Sequence, residues 1–143
     1  MRWQTSRSLL QATIAVAVLV PLGASATGLC IGPSFLRNVT TVPTDLDSHF
    51  RYLSSLLLGI ALLFVSTIRN IETKTERFRT ASFLVVLGGF GRLYSLLSVG
   101  HPSLAHLGGL CLELGLVPLL VVWQGALAHR AAQGVRIVEQ PAA

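Results

Sequence analysis

An all-α, integral membrane four-helix bundle is the fold class this sequence predicts, and three observations predict it. Hydrophobic residues make up 52% of the 143 residues and charged residues only 12%, about half the ~25% share that a water-soluble domain carries. Mean hydropathy is +0.66. Apolar segments close to the ~20 residues of a bilayer span recur, separated by polar, Gly- and Pro-containing connections. These lengths weigh against a soluble domain with buried helices. One domain is expected from the chain length, with spans at roughly residues 8–31, 50–68, 81–99 and 104–127 and a short cytoplasmic tail at 128–143.

The chain opens on a basic segment with Arg2, Arg7 and an interfacial Trp3; tryptophan is enriched where membrane meets water. The first apolar stretch, Ser8–Ile31, contains Pro21 and competes with a signal-peptide reading. That reading takes the positive start, the run Leu9–Val20 and Ala24-Ser25-Ala26 as a cleavage pattern. The apolar run continues through Leu29 and Ile31, which favours a retained span. Gly32–His49 is the only long connection. At its end Asp47 or Ser48 is placed to cap the second span, whose outer end carries Arg51 and Tyr52. Ser55 and Gly59 form a small-xxx-small pair within it.

A polar segment, Arg69–Thr80, leads to the two spans around which the chain is organised. The first runs ASFLVVLGGFGRLYSLLSV (81–99) and the second LAHLGGLCLELGLVPLLVVWQ (104–124), joined by Gly100-His101-Pro102-Ser103. Each holds one charge in apolar sequence, Arg92 and Glu113. At a rise of about 1.5 Å per residue both lie roughly 12–15 Å below the turn, level in an antiparallel hairpin. Charges within a span cost several kcal/mol and survive by pairing, so an Arg92–Glu113 bridge is expected. Gly88, Gly91, Ser95 and Ser98 form a small-residue stripe suited to close helix packing. On the last span Gly109, Glu113, Leu116, Leu120 and Gln124 share a face.

Of the eleven Lys and Arg residues, Arg2, Arg7, Arg69, Lys74, Arg77, Arg79, Arg130 and Arg136 fall on one side if the termini and the Arg69–Thr80 loop share it. Arg37 and Arg51 fall on the other. The positive-inside rule then places both termini in the cytoplasm, in a multi-pass membrane protein. The net charge of +5 flanks the spans and forms no stripe with interleaved aromatics, so it orients the protein and gives no reason to expect nucleic acid.

The candidate buried polar network comprises Arg51, Arg92, Glu113, Asp47, Ser95 and Gln124. Asp47 precedes Arg51 by four residues, the spacing of a helical ion pair. A long Arg51 side chain can reach along the membrane depth towards Glu113, and such a network would suit a small anion or a lipid head group. The lone cysteines, Cys30 and Cys111, match neither a metal spacing nor CxxC and read as small buried hydrophobes. His49, His101 and His106 lack ligand spacing, so no metal is expected. Gly88-Gly89-Phe90-Gly91 lies inside an apolar helix and lacks the strand-turn-helix setting of a nucleotide fingerprint. No nucleophile–base pair emerges, no catalytic residue is named and no cofactor is implied.

Three pieces, LDSHFRYLSSLLLGIAL (46–62), GGFGRLYSLLSVGHPS (88–103) and the Glu113 helix ending in Trp123-Gln124, resemble the small bacterial membrane proteins grouped as domain of unknown function 4345. The resemblance covers roughly residues 8–127. Asp47, Phe50, Arg51, Gly88, Gly91, Arg92, Gly100, Pro102 and Glu113 match its recurring positions. It implies a retained first span, four transmembrane helices and a looser similarity to DoxX-like four-helix membrane proteins; it implies no activity.

The functional expectation is a non-enzymatic membrane protein, structural or partner-binding, surrounded by lipid and associating with itself or another protein, in which the charge pair sets helix register. The alternatives are a small-ligand, lipid or proton-coupled transport role in an outward-facing Arg51/Arg92/Glu113 pocket, and a DoxX-like redox-linked membrane enzyme.

Overall fold

The computed structural model describes residues 2–36 and 39–139. Its main elements are α1 (Arg2–Ala17), α2 (Leu19–Ile31), α3 (Thr44–Ile68), α4 (Thr75–Ser98), α5 (Leu104–Cys111) and α6 (Val117–Glu139), with no strand among the described residues. Four continuous helical stretches are long and apolar enough to cross a membrane: Trp3–Ser34, Thr44–Ile68, Thr75–Ser98 and Leu104–Gly134. The protein is thus an all-α, multi-pass membrane protein. Arg37 and the last four residues lie outside the described residues.

Each helix extends beyond its apolar segment because polar first and last turns continue the same backbone ladder. In α3 the first turn forms upstream of the expected cap, with the Asp47 amide donating to the Pro43 carbonyl at 3.0 Å. Asp47 is therefore inside the helix and its carboxylate is free for another task. α4 begins at Thr75, which reduces the connection before it to a tight turn. Asn70 makes that turn with φ 58°, a left-handed conformation that asparagine adopts more readily than most residues. α6 continues to Glu139, through much of the expected tail.

α1 and α2 form one span with a discontinuity at Val18. Pro21 has no amide hydrogen for the Ala17 carbonyl, while the ladder is intact on either side: Val18 donates to Ile14 at 2.9 Å and Leu22 to Val18 at 3.1 Å.

The described chain divides into two compact units, Ala12–Ile68 and Met1–Gln11 with Arg69–Ala143. In the first, α2 packs on α3. Gly28 permits the close approach, since a Cβ there would fall on Ser54 Oγ and stand 3.1 Å from Phe50 Cε1. The small-xxx-small pair Ser55 and Gly59 takes no part in this contact: Gly59 faces open space and Ser55 is exposed. In the second unit α4 packs against α6 and the segment before it, and its buried apolar residues include Leu10, Ile71, Phe78, Ala81, Leu120 and Leu127. Gly89 faces the neighbouring helix, whereas Gly88 and Gly91 of the expected stripe have open space beside them and Ser95 and Ser98 are exposed.

Large apolar side chains such as Tyr94, Leu97, Val99, Leu104 and Val122 are more than 70% exposed. On a membrane-spanning chain this surface needs no protein cover, because lipid is as apolar as the side chains. The same applies to Cys30 and Cys111, which are free and exposed and not buried as their residue type suggests.

Candidate functional site

The polar residues expected to form one network are distributed over separate sites. In the α2–α3 unit Arg51 stands one turn after Asp47 and takes its carboxylate in a fork, Nε to Oδ2 at 2.8 Å and Nη2 to Oδ1 at 3.2 Å. The remaining arm, Nη1, donates to the Leu29 carbonyl. Leu29 lies in the last turn of α2, where backbone carbonyls have no partner within their own helix. A guanidinium there satisfies one of them and also opposes the negative end of the helix dipole. Gly32 makes the arrangement possible. Its φ is +70° and a Cβ on it would fall on Asp47 Oδ1 and come within 3.0 Å of Arg51 Nη2. Asp47–Arg51 is thus more than a helix-surface pair, because it ties the start of α3 to the end of α2.

In the other unit Arg92, on α4, donates from Nε to Glu113 Oε1 at 2.9 Å. The contact is single. Glu113 Oε2 is buried without a hydrogen-bond partner among the described residues. The Arg92 side chain is 40% exposed and that of Glu113 18%, so the carboxylate is the more enclosed partner. Two backbone features bring it to α4. Gly89 leaves the room, since a Cβ there would lie 3.0 Å from Glu113 Cβ and 2.7 Å from Leu114 Cδ2. Glu113 also lies in a π-helical turn, Leu112–Leu116, closed by the Val117 amide bonding to the Leu112 carbonyl. Pro118 follows directly and has no amide hydrogen to offer the Leu114 carbonyl, so the α ladder is interrupted at this point.

Gln124 is fully buried and belongs to neither ion pair. Its Nε2 donates to the Ile71 carbonyl and to Thr75 Oγ1, both at 2.9 Å, which fastens α6 to the start of α4. Ser95 makes no side-chain hydrogen bond among the described residues and is exposed. His106 Nδ1 pairs with Ser103 Oγ at 2.9 Å, closing the turn before α5.

A further polar site was not singled out from the sequence. Arg7 Nε pairs with Glu72 Oε2 at 3.0 Å and its Nη2 reaches Asn70 Oδ1 at 3.4 Å, while Trp123 Nε1 donates to Ser6 Oγ at 3.0 Å. Together they join the start of α1, the α3–α4 turn and α6. Arg7 and Glu72 are 65 residues apart, and no local spacing signals the pair.

A multi-pass helical membrane protein with an ion pair inside its apolar segments is the class these features define. The chain belongs to the family described as Domain of unknown function (DUF4345), whose pattern matches residues 9–124. That region contains both Asp47–Arg51 and Arg92–Glu113. No curated protein and no solved structure matches the chain.

Proposed function

We propose that this membrane protein is non-enzymatic and serves a structural or partner-binding role, with Arg92–Glu113 fixing the register of α4 against the α5–α6 span. The pair itself is the observation that carries the reading. A charge in hydrocarbon costs several kcal/mol on its own, so α4 and the Glu113 turn are held where the two charges meet at 2.9 Å. The exposed apolar surface of α4, including Phe83, Leu87, Phe90 and Leu97, is then available to lipid or to another membrane protein, a second copy included. The cation distribution supports cytoplasmic termini, and a bacterial inner membrane is the setting we propose.

The test is charge reversal. Arg92→Glu and Glu113→Arg should each lower thermal stability in detergent or nanodiscs, and the double variant should recover most of the loss. A double variant as damaged as either single one would refute the register role.

A second reading has an observation of its own. Glu113 Oε2 lacks a partner and Arg92 engages only through Nε, which supports a site for a small ligand or a proton. Such a site needs water to reach α4 at this depth. Ser95→Cys should then react with a membrane-impermeant thiol reagent; protection of that cysteine would leave the register role alone.

A further inference from the structure

A groove between α4 and α6, separate from the ion pair, is lined by Arg79, Ser82, Phe83, Val86, Pro118 and Val121 and has a volume of about 320 Å³. We infer that it holds one acyl chain of an anionic phospholipid whose phosphate is bound by Arg79. The polarity of the groove runs the right way. Arg79 lies near the polar start of α4, while Val86, seven residues on, is about 10 Å deeper along the helix axis, and the walls between them are apolar.

Arg79 is exposed and has neither an ion-pair nor a hydrogen-bond partner among the described residues. Its guanidinium lies over Gly125, with Nη2 3.6 Å from where a Cβ would stand, so the glycine leaves room for it across α6. Ser82 is only 2% exposed and its Oγ has no hydrogen-bond partner, although buried hydroxyls ordinarily have one. It lies three residues, or about 4.5 Å, deeper than Arg79. An ester carbonyl sits below the phosphate of a glycerophospholipid, and a rotation of the Ser82 side chain brings the enclosed hydroxyl within reach of it. The lining also selects the occupant, because apolar walls below a lone exposed arginine match a hydrocarbon chain under an anionic head group.

The experiment uses the full chain in nanodiscs of equal phosphatidylglycerol and phosphatidylcholine, released gently for native mass spectrometry. The wild type should retain one phosphatidylglycerol in preference to phosphatidylcholine. Arg79→Gln should cut that preference about fivefold, the effect of one arginine near an anionic surface. Arg130→Gln, an exposed arginine of α6 outside the groove, should leave it unchanged. Val121→Trp fills the groove and should lower retention of both lipids. Phe83→Ser, at a position 65% exposed, should do likewise, which keeps this arm readable if the tryptophan variant does not fold. Equal losses in Arg79→Gln and Arg130→Gln would mean a diffuse basic surface and overturn the assignment. So would an unchanged preference in Arg79→Gln, or a dimer that Val121→Trp dissociates.

Discussion

Arg92 and Glu113 meet through one oxygen, Nε to Oε1 at 2.9 Å, and the second carboxylate oxygen is buried without a partner. An Arg–carboxylate pair commonly uses two parallel hydrogen bonds, as Asp47–Arg51 does here. The intramembrane pair is therefore the looser of the two, and its partners are unequally enclosed.

That inequality predicts an asymmetry between the two truncations. Arg92→Met leaves an enclosed carboxylate with no cation, whereas Glu113→Gln keeps an acceptor for Nε and leaves a guanidinium that is already 40% exposed. Loss of a buried partner costs about 3–5 kcal/mol, and Arg92→Met, which strands the enclosed Glu113 carboxylate, should approach that range. Glu113→Gln should cost less, since Gln still accepts from Nε and the long arginine side chain can carry its charge towards the membrane surface. Thermal unfolding of the two variants in the same detergent checks the order, and the reverse order would mean that the guanidinium depends on the pair more than the carboxylate does.

Adjacent glycines of α4 should respond oppositely to alanine. At Gly89 a new Cβ meets Glu113 Cβ at 3.0 Å, and Cβ is too close to its backbone to yield easily. Overpacking of this kind costs about 1–3 kcal/mol. Gly88→Ala places its methyl in open space and gains up to about 1 kcal/mol of helix propensity. A pair of melting curves decides this, and equal shifts at the two positions would contradict the packing described for α4.

The Arg51 fork predicts that lysine is a poor substitute. Arg51→Lys keeps the charge but cannot hold two carboxylate oxygens and the Leu29 carbonyl in one plane, and should lower stability. The loss should be local, seen as faster amide exchange at the end of α2. Gly32→Ala should loosen the same amides, since its φ of +70° with ψ of −156° is a conformation almost confined to glycine. Unchanged protection in both variants would show that α2 is held by other contacts.

Much of this was legible from composition and counting. Four spans follow from hydropathy and length, because lipid imposes the same requirement on every spanning helix. The level of Arg92 with Glu113 follows from the rise per residue on either side of one short turn. Rotation about each helix axis does not follow. Where nearly every face of a helix is apolar, hydropathy does not distinguish one face from another, and Gly88 and Gly89, about 100° apart, read alike. Packing chose Gly89 on α4 and Ser54 on α3, against Gly88 and Ser55. Tertiary structure alone also gave Arg51 the Leu29 carbonyl, joined Arg7 to Glu72 across 65 residues, and set Gln124 at the start of α4 and not beside Glu113. The sequence by itself determined which segments are long and apolar enough to cross a membrane and how far along each helix its charge lies, since both depend on length along one axis. Which side chains meet depends on the angle about that axis, and only the packed helices determined that.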